Sequence, residues 1–249
     1  MVKSIMTILL LTISPIISYS YNVVMGVDYS IPPYVIKDED RGVEVDLLVE
    51  SFKSVGITVE LQYLPLLREF KALAEGSIDG MINVRENLVE DIYLSDVVIT
   101  FNNVLVSLKE SNYPETFPIS FIKDKYIIAF QRAPEIIGEG LEIVTKNSSK
   151  YSETANQINQ IYRLYTNRGA DLIIIDENIF KYFKVIAEDR LGSLKDKEVV
   201  IHRIFKPTVY RFGFRTKKIR DDFNVGLSNI KKSGLYLEIF RRYGIEPIK

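Results

Sequence analysis

The stretch GVDYSIPPYVIKDEDRGVEVDL (residues 26–47), continued by LPLLREFKALAEGSIDGMI (64–82) and YLSDVVITFNNVLVSL (93–108), decides the fold. Residues 21–27 (YNVVMGV) are β-rich and predict a first strand. SIPPY follows as a rigid turn, because two prolines fix φ and remove two backbone donors. Residues 37–42 read as a charged loop. From 43 to 55, Leu47, Leu48, Ser51, Phe52 and Val55 recur on one helical face, and Gly56 ends the helix. ITVELQYL (57–64) predicts a second strand. Pro65 opens a second helix that buries Leu66, Leu67, Phe70, Leu73 and Ala74, and Gly76 closes it. IDGMINV (78–84) is a third strand. This alternation with short connections predicts parallel strands joined by right-handed crossovers. Ligands in such sheets sit beyond the carboxyl ends of the strands. Those ends are residues 28–34, 63–68 and 83–85, polar or aromatic where the strands are apolar.

Outward from there, residues 95–109 are extended and β-branched, long enough to leave one lobe and enter another. A second α/β set begins with the strand YIIAF (126–130). EIVTKN (142–147) predicts a further strand, and 153–168 a helix through Ile158, Ile161, Tyr162 and Tyr165, closed by Gly169. ADLIIID (170–176) is a buried strand, followed by a helix from Glu177 to about Lys184. VVIHRIF (199–205) and YRFGFRT (210–216) are extended and return the chain to the first lobe. Two helices divided at Ser233 and Gly234 end it. The expected architecture is α/β with two lobes, each a central mostly parallel sheet flanked by helices. Residues 21–104 with 207–249 form the first lobe and 109–202 the second, with a two-strand hinge at 104–108 and 203–207. A cleft between the lobes follows from that layout.

The chain has 249 residues, 47% of them hydrophobic and 26% charged, with a formal net charge of −1. That is the composition of a soluble globular protein. It lacks the concentrated basic face that nucleic acid requires. Lys3, the apolar run 5–17 interrupted by Pro15, and the small residues Ser18 and Ser20 before Tyr21 predict a secretory signal peptide over 1–20. The apolar core is short for a bilayer span and holds a proline, which argues against a membrane anchor. Removing residues 1–20 takes away one lysine and leaves −2. There is no cysteine, which excludes thiolate catalysis, cysteine-based zinc sites and a lipid-modified cysteine. The single histidine, His202, lies in a strand-like run and reads as structural. No Walker loop, HExxH or GxSxG is present, and no cofactor is expected.

In order and spacing, GVDYSIPPY, GVEVDL, LAEGSIDG, YLSDVV, GADLIIID and RRYGI resemble the motifs of the extracellular solute-binding proteins of ABC importers, family 3. The resemblance covers essentially all of the chain after the signal peptide. It implies a type 2 periplasmic binding fold and a small polar, amino-acid-like or amine-bearing solute held in the interlobe cleft. It further implies no catalysis, a monomer in the periplasm, and an inner-membrane ABC permease as partner. Asp176 falls where the family aspartate binds the α-amino group, and Asp28 where members place a cleft residue after the first strand. The family arginine that grips the α-carboxylate lies seven residues before the serine of the FS motif; counting back from Ser95 gives Leu88. Arg85 is then the substitute, in a different register. Arg68 occupies the arginine position of a PWxR-like subgroup, and Gln131, Arg132 and Ala133 replace a Gly-Thr segment that contacts substrate in relatives.

Each residue also has a structural reading. Asp176 accepts a ligand amine in a charge-assisted contact, or caps the helix from Glu177, or does both. Asp28 is a ligand contact or the head of an Asx turn before the prolines. Tyr34 and Tyr29 stack on a ligand or pack beside Pro-Pro, with Tyr34 the stronger site candidate. Arg85 binds an anion or pairs with Glu86 or Glu90 on the surface. Asn83 is a hydrogen-bonding cleft residue, and Arg68 reads as a surface residue. Two other readings of the whole chain stand beside solute capture for transport. One is a secreted sensor or regulatory binding protein. The other is a dehydratase-like enzyme on the same fold, disfavoured by the missing cysteine and cleft histidine.

Overall fold

Val23, Met25 and Val27 are fully buried along the first strand, which places it in the middle of a covered sheet. The structure is a computed structural model that describes residues 22–28, 31–86, 91–138 and 140–247. The expected signal peptide, Tyr29 and Leu88 lie outside the described residues. The first half runs β1 (Asn22–Val27), α1 (Val43–Lys53), β2 (Thr58–Tyr63), α2 (Leu66–Glu75), β3 (Gly80–Val84), β4 (Tyr93–Leu94), β5 (Ile99–Phe101) and β6 (Asn103–Leu108). It continues with β7 (Ile127–Phe130), α3 (Ala133–Ile137), α4 (Leu141–Thr145), β8 (Tyr151–Thr154), α5 (Ile158–Tyr165), β9 (Leu172–Asp176) and α6 (Glu177–Leu191). Last come β10 (Val199–His202), β11 (Thr208–Phe214), α7 (Lys217–Ser233) and α8 (Leu235–Arg242).

Two sheets form, ordered β2-β1-β3-β11-β4, with β5 also on β11, and β10-β6-β9-β7-β8. Each has a parallel trio, β2-β1-β3 and β8-β7-β9, extended by antiparallel strands. The chain passes between the sheets twice. β5 leads through Asn102 into β6, and β10 leads through residues 203–207 into β11. Both members of each local pair run antiparallel: β5 on β11 in the first sheet, β6 on β10 in the second. Residues 104–108 lie in β6, which is hydrogen-bonded on both sides within the second sheet. The crossing on that side is Asn102. All six residues of β6 are buried, so burial on both faces accounts for its apolar composition.

In the first lobe α1 and α7 pack at contact distance. A Cβ on Gly226 would lie 2.0 Å from the Ser51 carbonyl oxygen, so only glycine allows this approach. Phe52, Phe212, Phe214 and Phe223 fill the space between these helices and the sheet, with ring centroids 5.2–6.0 Å apart. In the second lobe EIVTKN is the helix α4 with its following turn, not a strand. Leu141 is buried against the sheet and the Thr145 hydroxyl donates to the Leu141 carbonyl at 2.8 Å. The strand lies later, at β8, whose polar edge pattern carries no apolar alternation. The helix expected from 153 starts at Ile158, and α6 runs past Lys184 to Leu191. His202 is fully buried between the Ser107 hydroxyl (2.9 Å) and the Glu115 carbonyl (3.0 Å), a structural histidine as expected.

Candidate functional site

Both chain crossings converge on the junction of β9 and α6. Asp176 caps α6: its Oδ1 accepts from the Asn178 and Ile179 amides, both at 3.0 Å. Its Oδ2 accepts from the Asn102 amide at 2.8 Å. Glu177, next in sequence, accepts from the Asn102 side chain (3.0 Å) and from Arg203 (2.8 and 3.0 Å), one residue from each crossing.

The fourth donor to Asp176 comes from the other lobe. The Tyr34 hydroxyl donates to Oδ1 at 2.9 Å, and the Asn178 side-chain amide donates to the Tyr34 oxygen at 3.2 Å. Asn178 also donates to the Glu246 carbonyl at 3.2 Å, tying the C-terminal segment of the first lobe to α6. Tyr34 has no exposure and Asp176 has 1%. Tyr34 does stack, as its type suggests, but on Phe101, with centroids 4.3 Å apart and planes 18° apart. Burial pushes the Tyr34 hydroxyl well above its usual range, with the Asp176 charge adding to it. Burial likewise pushes the Asp176 carboxyl up to about 6, against the donors that hold it down.

The start of α1 holds Tyr34 in place. The Val43 and Glu44 amides, free because they begin a helix, donate to the Pro33 and Tyr34 carbonyls at 3.0 Å each. Gly42 has φ +133° and a Cβ there would lie 2.3 Å from the Tyr34 carbonyl oxygen. The Gly42 amide donates to Tyr243, and the Tyr243 hydroxyl donates to Asp46. The motifs PPY, GVEVDL and RRYGI therefore meet at one point.

On the first-lobe side, three carboxyls surround the end of β1. Asp28 follows the strand and is half-buried; Glu44 on α1 and Glu69 on α2 have no exposure. Both Glu69 oxygens and the Asn83 Oδ1 are buried without a hydrogen-bond partner, and the Glu44 carboxyl has only the Asn83 side chain beside it. Burial, aided by the Asp28 charge, pushes both glutamates up to about 8. Asn83, which favours the charged form of Glu44, sits in the left-handed region at φ +58°. Tyr210 on β11 is raised to about 12 by burial and by Glu44 and Asp176, with Arg85 acting against them. Glu44, Arg85, Asp176 and Tyr210 are thus near enough for their charges to act on one another.

The other expected residues are spread around its mouth. Arg85 reaches across to the second lobe and donates to the Ile136 carbonyl at 3.4 Å. Arg132 is exposed, pairs with Glu135 three residues on, and offers its backbone amide to Glu153. Arg68 is exposed on α2. A crevice of about 290 Å³ between the lobes is lined by Ile31 and Pro32 on one side and Asn156, Gln157 and Phe183 on the other. The structure thus brings Asp28, Asn83, Arg85, Tyr34 and Asp176 to one interface and leaves Arg68 outside it. Glu44, Glu69, Asn102 and Tyr210 went unread in the sequence. For the glutamates a signal existed: Glu44 is three and four residues before Leu47 and Leu48, and Glu69 is four before Leu73, so both lie on buried helix faces.

The arginine-, lysine-, histidine-binding protein ArtJ of Geobacillus stearothermophilus superposes with a TM-score of 0.68 at 20% identity, over 91% of this chain and 96% of that one. An ABC uptake transporter substrate-binding protein of Streptococcus pneumoniae with bound histidine gives 0.68 at 20%, over 92% and 94%. A histidine kinase sensor domain with similarity to periplasmic binding proteins also gives 0.68 at 20%, over 92% and 99%. At these identities the likeness establishes the fold. No curated protein matches the chain. The family model for bacterial extracellular solute-binding proteins, family 3, matches residues 23–246. With that match over nearly the whole chain, and the two-sheet fold that carries its motifs, this protein is a member of the bacterial extracellular solute-binding proteins, family 3.

Proposed function

We propose that this protein captures a small polar solute bearing an amine, of amino-acid type, between its lobes and delivers it to an ABC permease. In this reading residues 1–20 direct export, the mature chain works as a monomer outside the cytoplasm, and no chemistry occurs. Asn102 and residues 203–207 are the hinge, and the first lobe is 22–101 with 208–247. The observation that carries the reading is the convergence of polar groups from both lobes on one level: Asp28, Asn83 and Arg85 from one, Asp176 from the other. Closure around a solute by bending two adjacent strands fits this arrangement. Similarity to substrate-binding proteins crystallised with amino acids supports it. Thermal-shift screening of the full chain against amino acids, polyamines and organic acids tests it. A concentration-dependent rise in melting temperature with at least one amine-bearing solute is expected. No shift with any of them contradicts the reading.

A sensor reading has its own support. Tyr34, Asn178 and the Glu246 carbonyl form a direct bridge between the lobes, and a kinase sensor domain shares the fold. Adding purified protein to vesicles holding a cognate ABC permease separates the two: solute uptake supports transport, and binding without uptake supports sensing.

A further inference from the structure

A cavity of about 490 Å³ opens on the second sheet, apart from the crevice between the lobes. Its lining comes from β7, β8, α5, the turn after α5 and the end of α6. β8 is the edge strand of that sheet, and Ser152 pairs in register with Ile128 of β7. Ser152 and Thr154 therefore share the face that Ile128 turns toward α5. α5 itself packs on β6, β9 and α6. On that face β8 carries two short hydroxyl side chains where a covered strand carries apolar ones, and the cavity is the space they leave.

Three arginines line this space. Arg163 is held by the turn after α5: its Nε donates to the Arg168 carbonyl at 3.0 Å and its Nη2 to the Gly169 carbonyl at 3.5 Å. Arg190 lies over the Tyr162 ring, 4.2 Å from its centroid. Arg168 stands in the turn that holds Arg163. None of the three forms an ion pair with a described carboxylate. The one acid of the lining, Glu153, is already engaged, accepting from the Tyr151 hydroxyl at 3.0 Å and the Arg132 amide at 2.8 Å. Three guanidiniums against one carboxylate leave the lining with a formal charge of +2.

We propose that this cavity is a second binding site, for a doubly charged oxyanion carried on a phosphate monoester or a dicarboxylate. A guanidinium presents parallel N–H donors that match either group in a bidentate contact. Arg163 and Arg190 are already positioned, one by carbonyls and one by an aromatic face, so less side-chain freedom is lost on binding. A dianion cancels the charge of the lining, whereas a monoanion leaves half of it. The Asn159 amide and the Ser152 hydroxyl add neutral donors. The Thr166 hydroxyl stays with its helix, donating to the Tyr162 carbonyl at 2.6 Å. The volume is that of a small-molecule site. The inference goes beyond solute capture and does not depend on it, because an amine-bearing solute has the wrong sign for this lining. A free solute and the headgroup of a monoester phospholipid both offer the required group.

The test is isothermal titration calorimetry of the full chain at low ionic strength, where exposed arginines are least screened. The probes are glycerol 3-phosphate, succinate and acetate. The proposal expects a dianion to bind about ten-fold or more tightly than acetate. Arg168→Ala and Arg190→Ala should each weaken it by about five-fold or more, and Arg85→Ala should leave it unchanged. Flotation with vesicles of phosphatidic acid in phosphatidylcholine separates the two sources. Retention that both variants lose, without binding of a free dianion, assigns the lipid headgroup; binding of glycerol 3-phosphate or succinate assigns a free solute. Phenylglyoxal labelling of the parent chain, read by mass spectrometry, needs no variant. Whichever source binds should slow labelling of Arg168 and Arg190 and leave the exposed Arg132 as it was. Binding that Arg85→Ala abolishes and the other two variants keep overturns the proposal, as does equal affinity for acetate. Labelling unchanged by the bound ligand overturns it too, and so does the absence of both dianion binding and vesicle retention.

Discussion

Glu44 and Glu69 carry the largest consequence of any single residues here. Each is held protonated up to about pH 8 against an ordinary 4.5, so the folded chain binds more protons than the unfolded one between those values. Stability is therefore full below about 4.5, falls as pH rises, and levels off above about 8. The slope is up to about 1.4 kcal/mol per pH unit for each carboxyl. Chemical denaturation across that range should show the decline, and Glu69→Gln should flatten it and raise stability at the alkaline end. A Glu69→Gln curve parallel to the parent's contradicts the assignment. The sequence made the Asp176 cap legible, because an acid before a helix is a local signal. Its bond to Tyr34 was not legible, since 142 residues separate them. The glutamates were readable in principle from helical spacing, but they come from different helices, α1 and α2, and no local pattern brings both to Asp28.

At the scale of elements, strands and helices with long apolar periods were legible: β1 to β3, α1, β9 and both final helices, and α2 as a helix, though its buried face holds Glu69, Ala72 and Leu73 and leaves Leu67 and Ala74 exposed. The errors lie in short polar or β-branched pieces. EIVTKN has strand-like composition, yet one turn of helix buries Leu141 and leaves Ile143 74% exposed. β8 is an edge strand with a polar face, so no alternation marks it. Helix packing in the first lobe depends on Gly226, which no local pattern flags. Gly226→Ala places a methyl against the Ser51 carbonyl and should cost about 1–3 kcal/mol by forcing α1 and α7 apart. Urea denaturation measures it, and an unchanged midpoint contradicts the close packing described.

For the whole molecule, the return of the chain to the first sheet was legible and β11 makes it, whereas β10, the extended run before it, pairs with β6 in the second sheet. The crossing point was not: β6 looks like a connector until its partners β9 and β10 are known. The Tyr34 bond to Asp176 and the Asn178 bond to the Glu246 carbonyl join the lobes directly. Tyr34→Phe removes a buried hydroxyl that donates and accepts, costing about 1–3 kcal/mol. Small-angle X-ray scattering should give this variant a larger radius of gyration than the parent, and equal radii contradict the latch. The central proposal is that this family 3 member takes an amine-bearing solute between its lobes, among Asp28, Asn83, Arg85 and Asp176. A crystal structure of the full chain with the amine-bearing solute that gives the largest thermal shift tests it most directly. The account predicts that solute between the two sheets, with its ammonium within hydrogen-bond distance of Asp28 or Asp176. A solute bound elsewhere on the surface, or an ammonium that meets neither carboxylate, contradicts it.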